Sequence, residues 1–296
     1  MSTNHVRPTN RGFRQETPDA GCARGLAGLL DAPLPRGSRD RLELPLLWHW
    51  LYFLDRPAQS ELGPDGHPAR SDESAFPRRM FAGGRVTQHH PLLTGEPASV
   101  LETETSDRIK DGKSGRLRFV TRRYVYMQRG RVAIEEERDV VYRAGGGRPS
   151  VPQPGPGLDA GLQEVSRLVV PTDPTALFRF SALTYNAHRI HYDRDFAREV
   201  EGYPGLVVHG PLQAIAMVEA CRPRLPRGVP VSFEFRLVSP LFEGQGPVAS
   251  CDAVDSARWS TQVRDQTGRQ TAIGQLSLGA TQADLAEIAA LNHKGP

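Results

Sequence analysis

The segment FRFSALTYNAHRIHYDRDFAREVEGYPGLVVHGPL, residues 178–212, decides how this chain is read. Asn186, His188 and His191 stand close together, and His209 immediately precedes a glycine and an apolar helical run, GPLQAIAMVEA (210–220). Only nine histidines occur in the chain, so the cluster calls for turn geometry, metal ligation or proton transfer. His191 alone has the plain reading of a structural histidine, and Asn186 that of a turn residue bonding backbone N–H groups ahead of a helix. Tyr192 reads as a half-buried aromatic and Asp193 as a solvated charge. Two histidines and an asparagine lack the carboxylate or thiolate of a convincing ligand set, so no metal is expected.

Working outward, the helical run is followed by strand-like stretches, VSFEFRLVSPLF, VASCDAV, RWSTQVRD and TAIGQLSLG. The first half reads alike. LPLLWHWLYFL (44–54) is its apolar helical segment, and GGRVTQHHPLL, SVLETETSDRI, GRLRFVTRRYVYM and VAIEEERDVVYR are its strands. PLLTGEPA (91–98) matches PLFEGQGPV (240–248) and QRGRVAIEE (128–136) matches QTGRQTAIGQ (266–275), in the same order. The glycines of QRGR and DQTGR suit hairpin turns. A helix followed by an antiparallel meander, occurring twice, implies a sheet wrapped around a central helix in each half. The alternative is chance similarity of turn motifs.

Composition sets the bounds. The 296 residues, 38% apolar and 24% charged, suffice for a core without covalent staples. A net charge of +3, spread along the chain, argues against a nucleic-acid partner. Cys22, Cys221 and Cys251 form neither a disulfide framework nor a CxxC pattern, which fits a reducing cytoplasm. No apolar leader and no membrane-length apolar run is present, so a soluble cytoplasmic protein without membrane contact is expected.

The residues at 178–212, with LPLLWHWLYFLDRPAQSELGPDGHP (44–68), resemble the MaoC-like hydratase/dehydratase family in its double hot-dog form. Within it the sequence is similar to mesaconyl-C4-CoA and itaconyl-CoA hydratases and to type 2 hydroxyacyl-thioester dehydratases, over about Leu44 to Gly279. The implied fold class is α+β, two antiparallel sheets each wrapped around a central helix. The expected organisation is an N-terminal arm (1–40), a non-catalytic hot-dog half (41–143), a Gly/Pro-rich linker (144–163), a catalytic half (164–281) and a tail (282–296).

The family's hydratase motif has the form S/T-G-D-x-N-P-L-H-x-D, in which the aspartate and the histidine five residues on hold the catalytic water. Laid on this chain, Asn186 takes the place of the aspartate, His188 that of the asparagine, Arg189 that of the proline and His191 that of the histidine. An amide orients water but takes no proton, so the resemblance leaves His191 as the base. His188 either substitutes for the missing carboxylate or holds Asn186. The Gly210 N–H is the implied oxyanion donor at a helix N-terminus, with His209 as pocket wall or loop support. Arg189 or Arg79 would pair the free carboxylate of a dicarboxylic acyl group; the opposing reading has Arg189 salt-bridged to Asp193 or Glu199. Trp48, and on the same grounds Tyr192, either contacts the acyl chain or packs in the core.

The resemblance implies a hydro-lyase acting on an acyl-CoA, itaconyl-CoA or mesaconyl-C4-CoA giving citramalyl-CoA, as a homo-oligomer with no cofactor beyond the CoA of the substrate. The alternatives are a 3-hydroxyacyl-CoA or acyl-carrier-protein dehydratase of fatty-acid type, and a non-catalytic acyl-CoA-binding hot-dog protein.

Overall fold

The computed structural model describes residues 9–69, 75–112, 115–144 and 166–279. The expected linker, apart from Ala144, and the expected tail lie outside the described residues. The described strands are β1 (Thr9–Glu16), β2 (Arg78–Gln88), β3 (Ala98–Gly112), β4 (Gly115–Gln128), β5 (Arg131–Arg143), β6 (Arg167–Val169), β7 (Val231–Leu237), β8 (Val248–Ala253), β9 (Arg258–Arg264) and β10 (Gln270–Leu278). The helices are α1 (Ala20–Leu30), α2 (Pro174–Leu183) and α3 (Gly210–Cys221). The strands form one sheet ordered β1-β3-β4-β5-β2-β7-β10-β9-β8-β6. Five strands come from each half, and antiparallel pairing of β2 with β7, from Gly83 opposite Arg236 to Gln88 opposite Val231, joins them.

The internal repeat is visible in this order. Each half runs strand, helical segment, then four strands of which the last three form a meander and the first crosses to pair with the last, and both pairs of similar turn sequences fall at corresponding places, before β3 and β8 and before β5 and β10. In the QRGR hairpin the left-handed pair Arg129 (φ 54°) and Gly130 (φ 73°) supplies the primed turn that matches strand twist.

The second half has the expected central helix. Every residue of α3 from Leu212 to Cys221 is buried, as a helix wrapped by a sheet requires. Burial of Leu212, Ile215, Met217 and Val218 contributes about 1.5–3 kcal/mol each. Where the end of α3 crosses β8, Cys221 and Cys251 are joined in a disulfide with Cα atoms 5.5 Å apart. The bond corrects the expectation from cysteine spacing and withdraws that spacing's support for a reducing compartment; it arises from packing across 30 residues.

The first half departs from expectation twice. Residues 44–54 form a single 3₁₀ turn, Trp48–Leu51, not a helix. Left-handed backbone at Leu47 (φ 71°) and Phe53 (φ 55°) interrupts the path on both sides, and Pro45 withholds an N–H. The aromatic side chains are anchored over long range. Trp48 Nε1 donates to Glu219 Oε1 of α3 at 2.8 Å, and Trp50 Nε1 donates to Glu136 Oε1 at 2.7 Å. Burial pushes the Glu136 carboxyl up, but Arg138 and His49 bring it down to about 2, so a charged network fills the place of a helix.

The second departure lies in residues 1–40, expected as an arm. Of these, β1 pairs with β3, and α1 buries Ala23, Leu26, Ala27 and Leu30 in the core. Asp19 caps α1 by accepting from the Gly21 N–H at 2.7 Å.

Candidate active site

The motif at 184–193 is shaped by its own backbone. Asp173 caps α2, accepting from Thr175 N and Ala176 N. The helix ends at Leu183, and Tyr185 turns left-handed (φ 50°) to redirect the chain. Asn186 Oδ1 then accepts from the His188 N–H at 3.0 Å, an Asx turn that sets up the 3₁₀ turn Arg189–His191. Three-residue periodicity brings His188 and His191 to neighbouring positions, ring centroids 5.4 Å apart and perpendicular.

His191 is buried, and its Nδ1 lies 2.7 Å from the Val207 carbonyl oxygen. A carbonyl accepts only, so Nδ1 carries the proton and donates, and Nε2 presents its lone pair. Behind it His209 stacks at 3.7 Å and 18°, fixed by its Nε2 at 2.8 Å from Ser181 Oγ. His209 precedes α3, whose first N–H groups have no partner within the helix. At Gly210 a Cβ would lie 2.2 Å from Leu237 Cδ1 and 3.2 Å from Phe81 Cδ1, so apolar side chains from β7 and β2 crowd the start of α3.

The first half contributes a wall through residues 64–67. Asp65 O accepts from the Arg189 N–H at 2.9 Å, and Pro64 O accepts from Arg189 Nη1 at 3.0 Å. Gly66 (φ 89°) meets the motif so closely that a Cβ would be 1.9 Å from Ala187 O, which only glycine allows. This contact places the His67 ring 4.0 Å from that of His188. His67 Nδ1–H donates to Asp65 Oδ2 at 3.1 Å, and the His67 N–H donates to Asp65 Oδ1 at 2.9 Å. Asp65 Oδ2 is also 4.0 Å from His188 Nε2.

Electrostatics follow from burial. Burial lowers the pKa of His188, with His67, His191 and Arg79 adding to the fall. It lowers His191 to about 4 and leaves His209 well below its ordinary value. Burial pushes Asp65 up, but the His67 hydrogen bonds prevail and hold it ionised. At neutral pH His191 is therefore an unprotonated base. Its activity needs the bare Nε2, which is lost only as pH falls through about 4. The free-enzyme kcat/KM should be flat from about pH 8 down to about 5 and fall below that, and an acid limb centred near the ordinary histidine value of about 6.5 would contradict it.

Among the described residues, Asp65, His67 and His188 are the group whose ligand-type atoms lie within 4.8 Å of one another. Asp65 supplies the carboxylate that the motif itself lacks, and its Oδ2 accepts from His67 Nδ1–H at 3.1 Å.

The structure brings together Asn186, His188, His191, His209 and Gly210, and Arg79 is near enough for its charge to act on His188. Three other expected residues lie elsewhere. Trp48 is 0% exposed and committed to Glu219, so it touches no ligand. Tyr192 is 45% exposed, its hydroxyl donating to Ala187 O at 3.0 Å. Arg189 pairs with Asp193 Oδ2 at 2.7 Å and lies over the Phe196 ring at 4.2 Å, which realises the opposing reading of that residue. Sequence reasoning missed Asp65, His67, Ser181, Phe81 and Leu237. For the first two, the DGH triplet with its helix-incompatible glycine was the available signal.

Comparison with known proteins follows the same lines. The sequence family described as hydroxyacyl-thioester dehydratase type 2 matches residues 47–243. Mesaconyl-C(4)-CoA hydratase of Chloroflexus aurantiacus is 51% identical over 223 residues, covering 73% of this chain and 77% of that protein. The mitochondrial hydroxyacyl-thioester dehydratase type 2 of Schizosaccharomyces pombe is 29% identical over 241 residues, 72% of this chain and 78% of that one. Among solved structures, a MaoC-like dehydratase from Phytophthora capsici superposes with a TM-score of 0.61 at 14% identity, covering 91% and 96% of the two chains. A Mycobacterium tuberculosis protein with a double hotdog fold gives 0.55 at 16% identity, over 92% and 95%. These likenesses establish the double hot-dog fold for this chain.

Proposed function

The chain belongs to the hydroxyacyl-thioester dehydratase type 2 family, of MaoC-like hot-dog proteins, and from that premise we propose that it hydrates an unsaturated dicarboxylic acyl-CoA, itaconyl-CoA or mesaconyl-C4-CoA, to citramalyl-CoA. The chain is an enzyme of the hydratase/dehydratase class, and hydration of an unsaturated acyl-CoA is its reaction. The observation that carries the reading is His191, its Nδ1–H tied to a carbonyl and its Nε2 bare, close to the start of α3.

The reaction then runs on groups already described. His191 Nε2 takes a proton from water as the oxygen bonds to C3, and the C2–C3 π pair moves toward the thioester carbonyl. The Gly210 N–H, at the positive end of α3, stabilises the enolate oxygen, and a proton returned to C2 completes the addition. Asn186, an amide, orients water or the adjacent turn without accepting the proton. No cofactor is needed beyond the CoA of the substrate.

The dicarboxylic substrate is supported by the named activity of the Chloroflexus relative and by Arg79, exposed on β2 with its charge felt at His188. Arg189, paired with Asp193, is assigned to holding the turn in this reading. Arg79→Gln should raise KM for mesaconyl-C4-CoA about 10- to 100-fold, the worth of a charge-assisted pair, and leave crotonyl-CoA almost unaffected. Equal losses on both substrates would refute the carboxylate role. A panel of mono- and dicarboxylic enoyl-CoAs, followed by loss of conjugated-thioester absorbance, tests the function itself. Preference for long-chain substrates would favour the fatty-acid dehydratase reading, for which the Schizosaccharomyces relative is named. No helix among the described residues is long and apolar enough to cross a membrane. A cytoplasmic location and homo-oligomeric assembly through the outer strands β1 and β6 belong to the proposal as well.

A further inference from the structure

We propose that Asp65, carried by the non-catalytic half, is the counter-charge of the histidine cluster, a positioning residue that lets the buried imidazoles hold a proton during turnover. The inference rests on the hydratase reading above. Its ground is the arrangement of charge. His188, His191 and His209 are all buried and stand against one another, and Asn186 beside them has no charge. Among the described residues Asp65 is the carboxylate placed against this group, hydrogen-bonded to His67 and 4.0 Å from His188 Nε2.

Hydration requires such a partner. The water O–H bond breaks as O–C3 forms, the proton passes to an imidazole nitrogen, and the C2–C3 π pair becomes enolate; the proton is then delivered to C2 and the imidazole is neutral again. Between those two transfers a positive charge exists in the buried cluster: at His191 burial and His67 act against it while the Val207 carbonyl favours it, and at the neighbouring His188 burial, His67, His191 and Arg79 all act against one. Asp65 acts in the opposite sense and favours a charge on His188. The other acidic group facing Asp65 is Glu201, which Arg78 approaches at 3.7 Å. The close seating of Gly66 on Ala187 O and the Arg189 N–H bond to Asp65 O fix the carboxylate's position from the opposite half of the molecule.

The test uses full-length enzyme and one enoyl-CoA. Asp65→Asn keeps an oxygen for the His67 N–H, removes the charge and turns an amide NH2 toward His67 Nδ1, which accepts it in the other tautomer. It should lower kcat about 10²-fold while KM stays nearly constant. Asp65→Ala should recover activity with added formate and not with chloride at equal ionic strength. Asn186→Asp in the Asp65→Asn background should restore about tenfold in kcat by returning a carboxylate to the cluster from the other side. An active wild type whose Asp65→Asn form keeps its kcat overturns this inference alone, as does failure of both formate and Asn186→Asp to restore a lost activity. Wild-type inactivation by a chelator, reversed by a stoichiometric divalent ion, also overturns it. Absence of hydration by the wild type on every enoyl-CoA overturns the functional reading and the inference together.

Discussion

His191→Asn is expected to lower kcat for enoyl-CoA hydration by about 10²- to 10⁴-fold, the usual contribution of a positioned general base. The substitution is chosen for its geometry. An asparagine amide nitrogen falls near the position of Nδ1, so the donor to Val207 O, bonded at 2.7 Å in the wild type, is kept while the lone pair at Nε2 disappears. The Val207–Ile190 backbone pairing at 2.9 Å and the motif's own turn then persist, and near-wild-type thermal unfolding is the expected control. KM should change little, because the lost interaction is realised in the transition state. The size of the effect separates two readings of the same residue. A structural histidine would give a folded variant with altered stability and nearly full turnover. Retention of more than about a tenth of wild-type kcat would remove His191 from the base role.

Much of this site is legible before any coordinates, because its order is local. The turn from Thr184 to His191 is built from an Asx turn and a 3₁₀ turn, and α3 follows from an unbroken apolar run beginning Gly-Pro. Strands β2 to β5 and β7 to β10 also follow from their own alternation and hairpin glycines. What the sequence hides is decided over long range. Residues 44–54 read as a helix because their apolar content is high, yet their tryptophans find acceptors only in Glu219 and Glu136, far along the chain. The strand β1 and helix α1 are masked by Gly and Arg richness, although the Asp19 cap and the Ala/Leu spacing of 20–30 were there to be read. Of the two readings open for Arg189 the structure shows the pairing with a partner four residues on, which helical and turn geometry favours. Asp65 and His67 bear only the DGH triplet as a local mark, and their meaning comes from Gly66 seating one half of the molecule on the other.

The second large effect is expected at Gly210. Gly210→Ala should lower kcat about 10²-fold with little change in thermal stability, and the two halves of that statement have separate causes. At a helix start alanine is, by propensity, as acceptable as glycine or better, so the backbone itself has no reason to unfold. The added methyl would lie 2.2 Å from Leu237 Cδ1, the tip of a half-buried side chain that can rotate away, and 3.2 Å from Phe81 Cδ1. Relief of that contact moves apolar atoms into the approach to the N–H, and the thioester carbonyl is held away from its donor. A displacement of about 1 Å is enough for a 10²-fold loss, and complete removal of an oxyanion donor costs about 10²- to 10³-fold. Because the damage is steric, it has a specific cure: Leu237→Ala in the Gly210→Ala background clears the displaced side chain and should return most of the lost kcat. Leu237→Ala by itself should leave kcat near wild type. If Gly210→Ala turns over normally, or if the double variant is no better than the single one, the thioester oxygen is not bound at the start of α3. The helix would then be the core of the second half and nothing more.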